Sequence, residues 1–200
     1  MPCPTEEFRL KVQDSGMPEQ VYWDSLFDIE AILQWLECSG RPETVVEIGC
    51  GYGTFTVPVA TAIKGRLISF DIEQSMLAIT RANADEAGVS NVELQCRDVL
   101  ANGTGLQAGS VDRVMLFNIL HFPERHQLLV EVARILKPGG RVDILHWRKD
   151  ISTPRGPQVD SRPDTPMVLH AIEGADLVQK GEACILPPYH WGLQLIKPSA

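Results

Sequence analysis

The chain has 200 residues, 44% of them hydrophobic and 22% charged, a balance that supports a packed core and excludes a largely disordered chain. Its formal net charge of −8 argues against a protein that coats nucleic acid, because phosphate binding rewards a basic face. The charge is uneven: residues 1–100 carry 7 basic and 16 acidic side chains, whereas residues 101–200 carry 11 and 10, so any anion site belongs in the second half.

No window approaches the roughly 20 apolar residues of a membrane span, and the opening MPCPTEEFRL lacks the basic and apolar regions of a signal peptide. The expectation is a cytoplasmic protein. Five cysteines, Cys3, Cys38, Cys50, Cys96 and Cys184, are scattered with no C-x-x-C pair, which reads as reduced thiols with no metal site.

In chain order, the first 15 residues read as a loose arm. From Pro18, the spacing of Trp23, Leu26, Phe27, Ile29, Ile32, Leu33 and Leu36 predicts one helix that ends at Gly40. TVVEIG, RLISFD, VELQC, VDRVMLFN and RVDILHW are short apolar runs that read as buried parallel strands. Between them, FTVPVATAIK, EQSMLAITRANADEAG and ERHQLLVEVARILKPGG carry helical periodicity, with Gly88 and Gly139 placed as helix C-caps. After Trp147, prolines at 154, 157, 163 and 166 predict a surface loop, MVLHAIEGAD a short helix, and Leu177–Ile185 with Tyr189–Ile196 a terminal hairpin. The sum is an α/β fold: a Rossmann-like, doubly wound, mostly parallel seven-stranded sheet with an antiparallel terminal hairpin. One domain is expected over 1–200, with an arm and flanking helix to 40, a cofactor-binding core over 44–147, and the proline-rich loop and hairpin from 148.

The segment EIGCGYGTF places glycines 49, 51 and 53 between a strand and a helix, where positive φ and close backbone approach to a ligand are needed. Asp71 closes the next strand, where a carboxylate accepts from the hydroxyls of a ribose. Nicotinamide enzymes use G-x-G-x-x-G to seat a pyrophosphate on the helix N-terminus. Here the spacing is G-x-G-x-G, and Thr54 stands at the position of the third glycine. Glu47 would repel a pyrophosphate and attract the ammonium of an amino acid, so the loop favours S-adenosylmethionine.

VVEIGCGYGTFT, FDIEQSML, CRDVL, VDRVMLFNILHFPE and ARILKPGGRVDIL together resemble, in order and spacing, the class I S-adenosylmethionine-dependent methyltransferases, particularly those related to ubiquinone and menaquinone biosynthesis. The resemblance covers about residues 44–147. It implies that Glu47, Gly49, Cys50 and Gly51 hold the methionine end of the cofactor, that Asp71 holds the ribose, and that Ile72 lies beside the adenine. It further implies that Asp98 accepts from the adenine amino group, that Val99 adds a backbone contact, and that Asn118 faces cofactor and acceptor. Glu73 departs from the small serine frequent in that family.

Methyl transfer from a sulfonium is an in-line displacement in which alignment supplies much of the rate. If the acceptor carries a proton to lose, His121 and His146, after the fourth and fifth strands, are candidate catalytic bases. FNILHF lacks the N-P-P-[YF] signature of enzymes that methylate base amines or glutamine amides, which further disfavours a nucleic-acid partner. Arg148, Lys149 and Arg155 suggest an anionic small-molecule acceptor. Two other functions compete: a non-catalytic S-adenosylmethionine-binding regulatory module, and a nicotinamide-dependent oxidoreductase.

Overall fold

The structure, a computed structural model, describes residues 18–199; the opening arm and Cys3 lie outside the described residues. Seven strands form one sheet in the order β3-β2-β1-β4-β5-β7-β6. They are β1 (Thr44–Ile48), β2 (Arg66–Asp71), β3 (Val92–Cys96), β4 (Val111–Phe117), β5 (Leu136–Trp147), β6 (Val178–Leu186) and β7 (His190–Ile196). The first five are parallel, and β7 pairs antiparallel to both β5 and β6, as the sequence predicts.

Alternation along the strands assigns two cores. Val46, Ile48, Val114, Leu116, Val142 and Ile144 pack with α6 (Arg125–Ile135) and α7 (Thr165–Ala171) on one face. Val45, Leu67, Met115, Phe117 and Leu145 pack with α2 (Ile29–Leu36), α3 (Thr56–Ala62) and α4 (Gln74–Glu86) on the other. Coverage on both sides is why the strands read as unbroken apolar runs. The chain winds from β1 outward through β2 to β3, then returns to β4 beside β1. That reversal opens a crevice beyond the carboxyl ends of β1 and β4, the place where such sheets bind ligands.

Three local readings need correction. The predicted helix from Pro18 is two: α1 (Gln20–Asp24) and α2, broken where Asp28 turns its carboxylate onto the Ala31 N–H at 3.0 Å. An N-cap side chain satisfies a free helical donor and so starts a new helix inside an apolar periodicity that runs straight through. The second helix then ends with Glu37 in the left-handed region, before Gly40. At the other end, Gly139 caps no helix. The α6 helix stops at Ile135 and β5 begins at once, with the Gly139 N–H donating to Lys197 O at 2.9 Å.

The proline-rich segment is pinned by Arg162, which is 5% exposed. Its guanidinium donates to the carbonyls of Pro157, Arg148 and Arg155. Prolines leave carbonyls without ladder partners, and one buried arginine takes up three of them.

On the α2 face, a polar network crosses the sheet. Arg113 is fully buried and donates to Glu43 and to Asp143, while Gln194 on β7 donates to the other oxygen of Asp143 and accepts from Arg141. Removing one member of a buried ion pair strands the other charge. Arg113→Leu is therefore expected to cost about 3–5 kcal/mol in urea unfolding, and Arg113→Leu with Asp143→Leu to recover a substantial part of it. Additive losses in the double variant would show that Asp143 is not left stranded.

Candidate functional site

A cavity of about 690 Å³ occupies the crevice. It is lined by the loop from Ile48 to Tyr52, by Asp71, Ile72 and Asp98, and by Trp23, Phe55, Phe117, Asn118, His121 and Phe122. The loop reverses direction through positive φ at Gly49, Gly51 and Gly53 (87°, 53° and 80°), a conformation that suits glycine and strains other residues. Close packing adds to the requirement: a Cβ on Gly53 would stand 2.9 Å from Thr80 Cγ2.

Of the acids singled out, Asp71 and Asp98 line the cavity and Glu47 does not. Asp71 Oδ2 accepts the Gly51 N–H at 3.0 Å and Oδ1 accepts the Glu73 N–H at 2.9 Å, so this carboxylate already shapes the loop it shares with a ligand. Oδ2 also accepts from the Cys50 thiol at 3.7 Å, and Oδ1 keeps a further lone pair. Asp98 caps a short helix, α5 (Val99–Asn102), through the Ala101 N–H at 2.9 Å, and Val99 is buried behind it. The structural role of Asp98 and its place on the cavity wall coexist.

Glu47 lies beneath the loop, 1% exposed. Its Oε2 accepts from Ser69, its register partner on β2, at 2.8 Å, and from Thr56 at the start of α3. Oε1 has no partner among the described residues. Burial in the sheet pushes its pKa up to about 7, against the bonds from Thr56 and Ser69 that lower it. The folded state thus holds the proton more tightly than the unfolded chain, for which 4.5 is the reference. Stability from this group is present below pH 4.5 and is lost as pH rises to about 7, on the order of 3 kcal/mol in all. Relative to wild type, Glu47→Gln should gain stability over that window in urea unfolding at a series of pH values. Parallel curves for the two proteins would show that Glu47 titrates normally.

Cys50 is enclosed beside Asp71 and Thr80, and burial pushes its thiol well up, so it serves the loop as a small neutral side chain. Asn118 follows β4 in the left-handed region (φ 58°), anchored by its N–H to Leu145 O at 2.7 Å. Such a backbone in a non-glycine residue is sparsely populated and concentrates at functional sites.

The two candidate bases part company. His121 lines the cavity, whereas His146 is fully buried on the α6 face, its ring centroid 5.8 Å from that of His121. The cations expected to attract an anionic acceptor do not line the cavity. Arg148 is held by Asp150 at 2.6 Å and Lys149 by Asp164, two acids close in sequence or space that neutralise them. Arg97 does line the cavity, but its guanidinium donates to the carbonyls of Asn102 and Gly103. One residue missed from sequence is His190 on β7, fully buried, stacked on Phe27 at 4.5 Å, with Nε2 3.5 Å from Asn118 Nδ2.

A doubly wound sheet with a glycine loop at its reversal point and an acid closing the next strand defines an α/β protein that binds an adenosyl cofactor. Residues 45–140 match the family described as methyltransferase domain. The ubiquinone/menaquinone biosynthesis C-methyltransferase UbiE of Escherichia fergusonii is 31% identical over 134 residues, 63% of this chain and 52% of the relative. The aklanonic acid methyltransferase DauC of Streptomyces sp. (strain C5) is 34% identical over 103 residues, 50% of this chain and 46% of the relative. This chain therefore spans about half the length of those curated relatives. A solved S-adenosylmethionine-dependent methyltransferase from Aquifex aeolicus shares the fold with a TM-score of 0.77 at 22% identity, covering 94% of this chain and 97% of its own.

Residues 45–140 belong to the class I S-adenosylmethionine-dependent methyltransferases. The cofactor is S-adenosylmethionine, and the nicotinamide reading falls away. The residues present fit it: Asp71 and Asp98 put carboxylate acceptors on the cavity wall, and beneath the loop Glu47 Oε1 has no donor among the described residues. No helix of the described residues is long and apolar enough to cross a membrane.

Proposed function

We propose that this protein transfers the methyl group of S-adenosylmethionine to a small, flat, uncharged acceptor that loses a proton in the reaction. The observation that carries the reading is that one cavity is lined both by carboxylates, Asp71 and Asp98, and by aromatic rings, Trp23, Phe55, Phe117 and Phe122, with His121 on the same lining. When bound, the cofactor supplies an electrophilic methyl on a sulfonium.

In this reading Gly49, Cys50 and Gly51 cradle the methionine end, Asp71 holds the ribose, Ile72 and Val99 flank the adenine, and Asp98 accepts from its amino group. Glu47 acts from below, as a buried counter-charge to the ammonium. Trp23, Phe55, Phe117 and Phe122 hold the acceptor against the methyl and exclude water, which raises the value of every polar contact inside. His121 takes the acceptor's proton, and His146 stays behind it without touching substrate. Arg148 and Lys149 lie off the cavity wall, paired with acids, and Arg97, a cation on that wall, directs its Nε and Nη2 donors onto backbone carbonyls, which favours a neutral acceptor over an anionic one. The related UbiE and DauC carry names that refer to quinone biosynthesis and to aklanonic acid, in keeping with a small molecule.

Calorimetry with S-adenosylhomocysteine should give binding to the wild-type chain and 10- to 100-fold weaker binding to Asp71→Ala, the effect of losing a charged hydrogen-bond acceptor. Folded protein that binds none would overturn the proposal. Release of S-adenosylhomocysteine should be faster with neutral hydroquinones and naphthols than with their carboxylated counterparts. His121→Ala should lower kcat by about 100-fold or more with little change in KM. Cofactor binding without turnover across such a panel would support the regulatory-module reading instead.

A further inference from the structure

We infer that His190, on the last strand of the sheet, is a positioning residue for the cofactor site, acting through Asn118 on the amino-acid end of the bound cofactor. The inference rests on the reading of the cavity given above.

Asn118 stands where β4 gives way to the cavity wall, and its neighbour Ile119 packs directly over the glycine loop: a Cβ on Gly49 would lie 2.9 Å from Ile119 Cγ2. Asn118 therefore sits at the level of the loop that serves the methionine end. Two anchors fix it from outside the cavity. One is its N–H on Leu145 O, and the other is its amide Nδ2 against His190 Nε2 at 3.5 Å. The amide Oδ1 is enclosed and has no donor among the described residues. Buried polar atoms without partners are rare, and an unmet acceptor beside a ligand cavity points to a donor that the ligand brings. The amino-acid end of the cofactor carries such a donor in its ammonium group.

For His190 to hold the amide this way, Nε2 must accept, so the ring must be neutral. The surroundings enforce that. The ring stacks on Phe27 at 4.5 Å, lies tilted against Trp147 at 4.2 Å, and is fully buried. Burial, with a smaller contribution from the Arg162 guanidinium, pushes its pKa down to about 3.

The test compares two ligands, S-adenosylhomocysteine and 5′-methylthioadenosine, which lacks the amino-acid end. In His190→Phe and in Asn118→Ala, calorimetry should show about tenfold weaker binding of S-adenosylhomocysteine, with 5′-methylthioadenosine unchanged. The double variant should be no weaker than either single one. His190→Gln, which keeps a hydrogen-bonding side chain, should restore affinity to within about twofold. In wild-type protein, ¹⁵N shifts should show His190 with Nε2 unprotonated. Equal weakening of both ligands, additive losses, or a protonated Nε2 would each overturn the inference. Wild-type protein that binds neither ligand would instead overturn the cofactor reading on which it rests, and retained 5′-methylthioadenosine binding certifies that a variant is folded.

Discussion

The buried carboxylate of Glu47 ties three elements at one point: β1 on which it sits, β2 through Ser69, and the first turn of α3 through Thr56. The glycine loop runs between β1 and α3, so this junction sets the span that the loop must cross. A carboxylate is an unusual choice for a place almost without solvent, because burial opposes its charge. The two hydroxyl donors offset part of that cost, and the second oxygen is left without a donor among the described residues. A site that is held short of full satisfaction by the protein alone is one in which ligand binding and local stability reinforce each other.

Asp71 repeats the theme from the next strand. It accepts from the loop's own Gly51 N–H, so this cavity-lining acid and the glycine loop are one hydrogen-bonded unit. The aromatic lining is built differently. Phe27, Phe55 and Phe117 meet edge to face at centroid distances of 4.9 and 4.8 Å, a rigid hydrocarbon cluster of which Phe55 and Phe117 reach the cavity.

Most of the fold was legible because buried parallel strands leave an unmistakable trace, unbroken runs such as TVVEI and RLISF between helical periodicities. The cavity lining was legible for a related reason: Asp71, Asp98 and Asn118 lie at or just after the ends of those strands. What failed to show depends on partners distant in sequence. The break at Asp28 was hidden because the apolar spacing continues through it. The cations of the proline-rich segment looked available because the acids that neutralise them, Asp150 and Asp164, were not read as partners. Arg162 gave no signal at all, since its partners are backbone carbonyls in irregular chain, which no residue pattern records. His190 reads as hairpin packing until the sheet brings β7 against the end of β5 and beside Asn118.

The position of β7 between β5 and β6 carries a consequence for how the molecule comes into being. Every glycine-loop residue and both cavity-lining acids, Asp71 and Asp98, precede Trp147, yet β5 acquires its second neighbour only when Ile196 reaches Arg141 across the proline-rich segment and α7. Such distant pairings form late, since the loop between them must close first. During synthesis the nascent chain can therefore hold all the cofactor motifs while the edge of β5 stays open and aggregation-prone. Closing that edge is the same event that seats His190, so protection of the folding intermediate and completion of the site coincide.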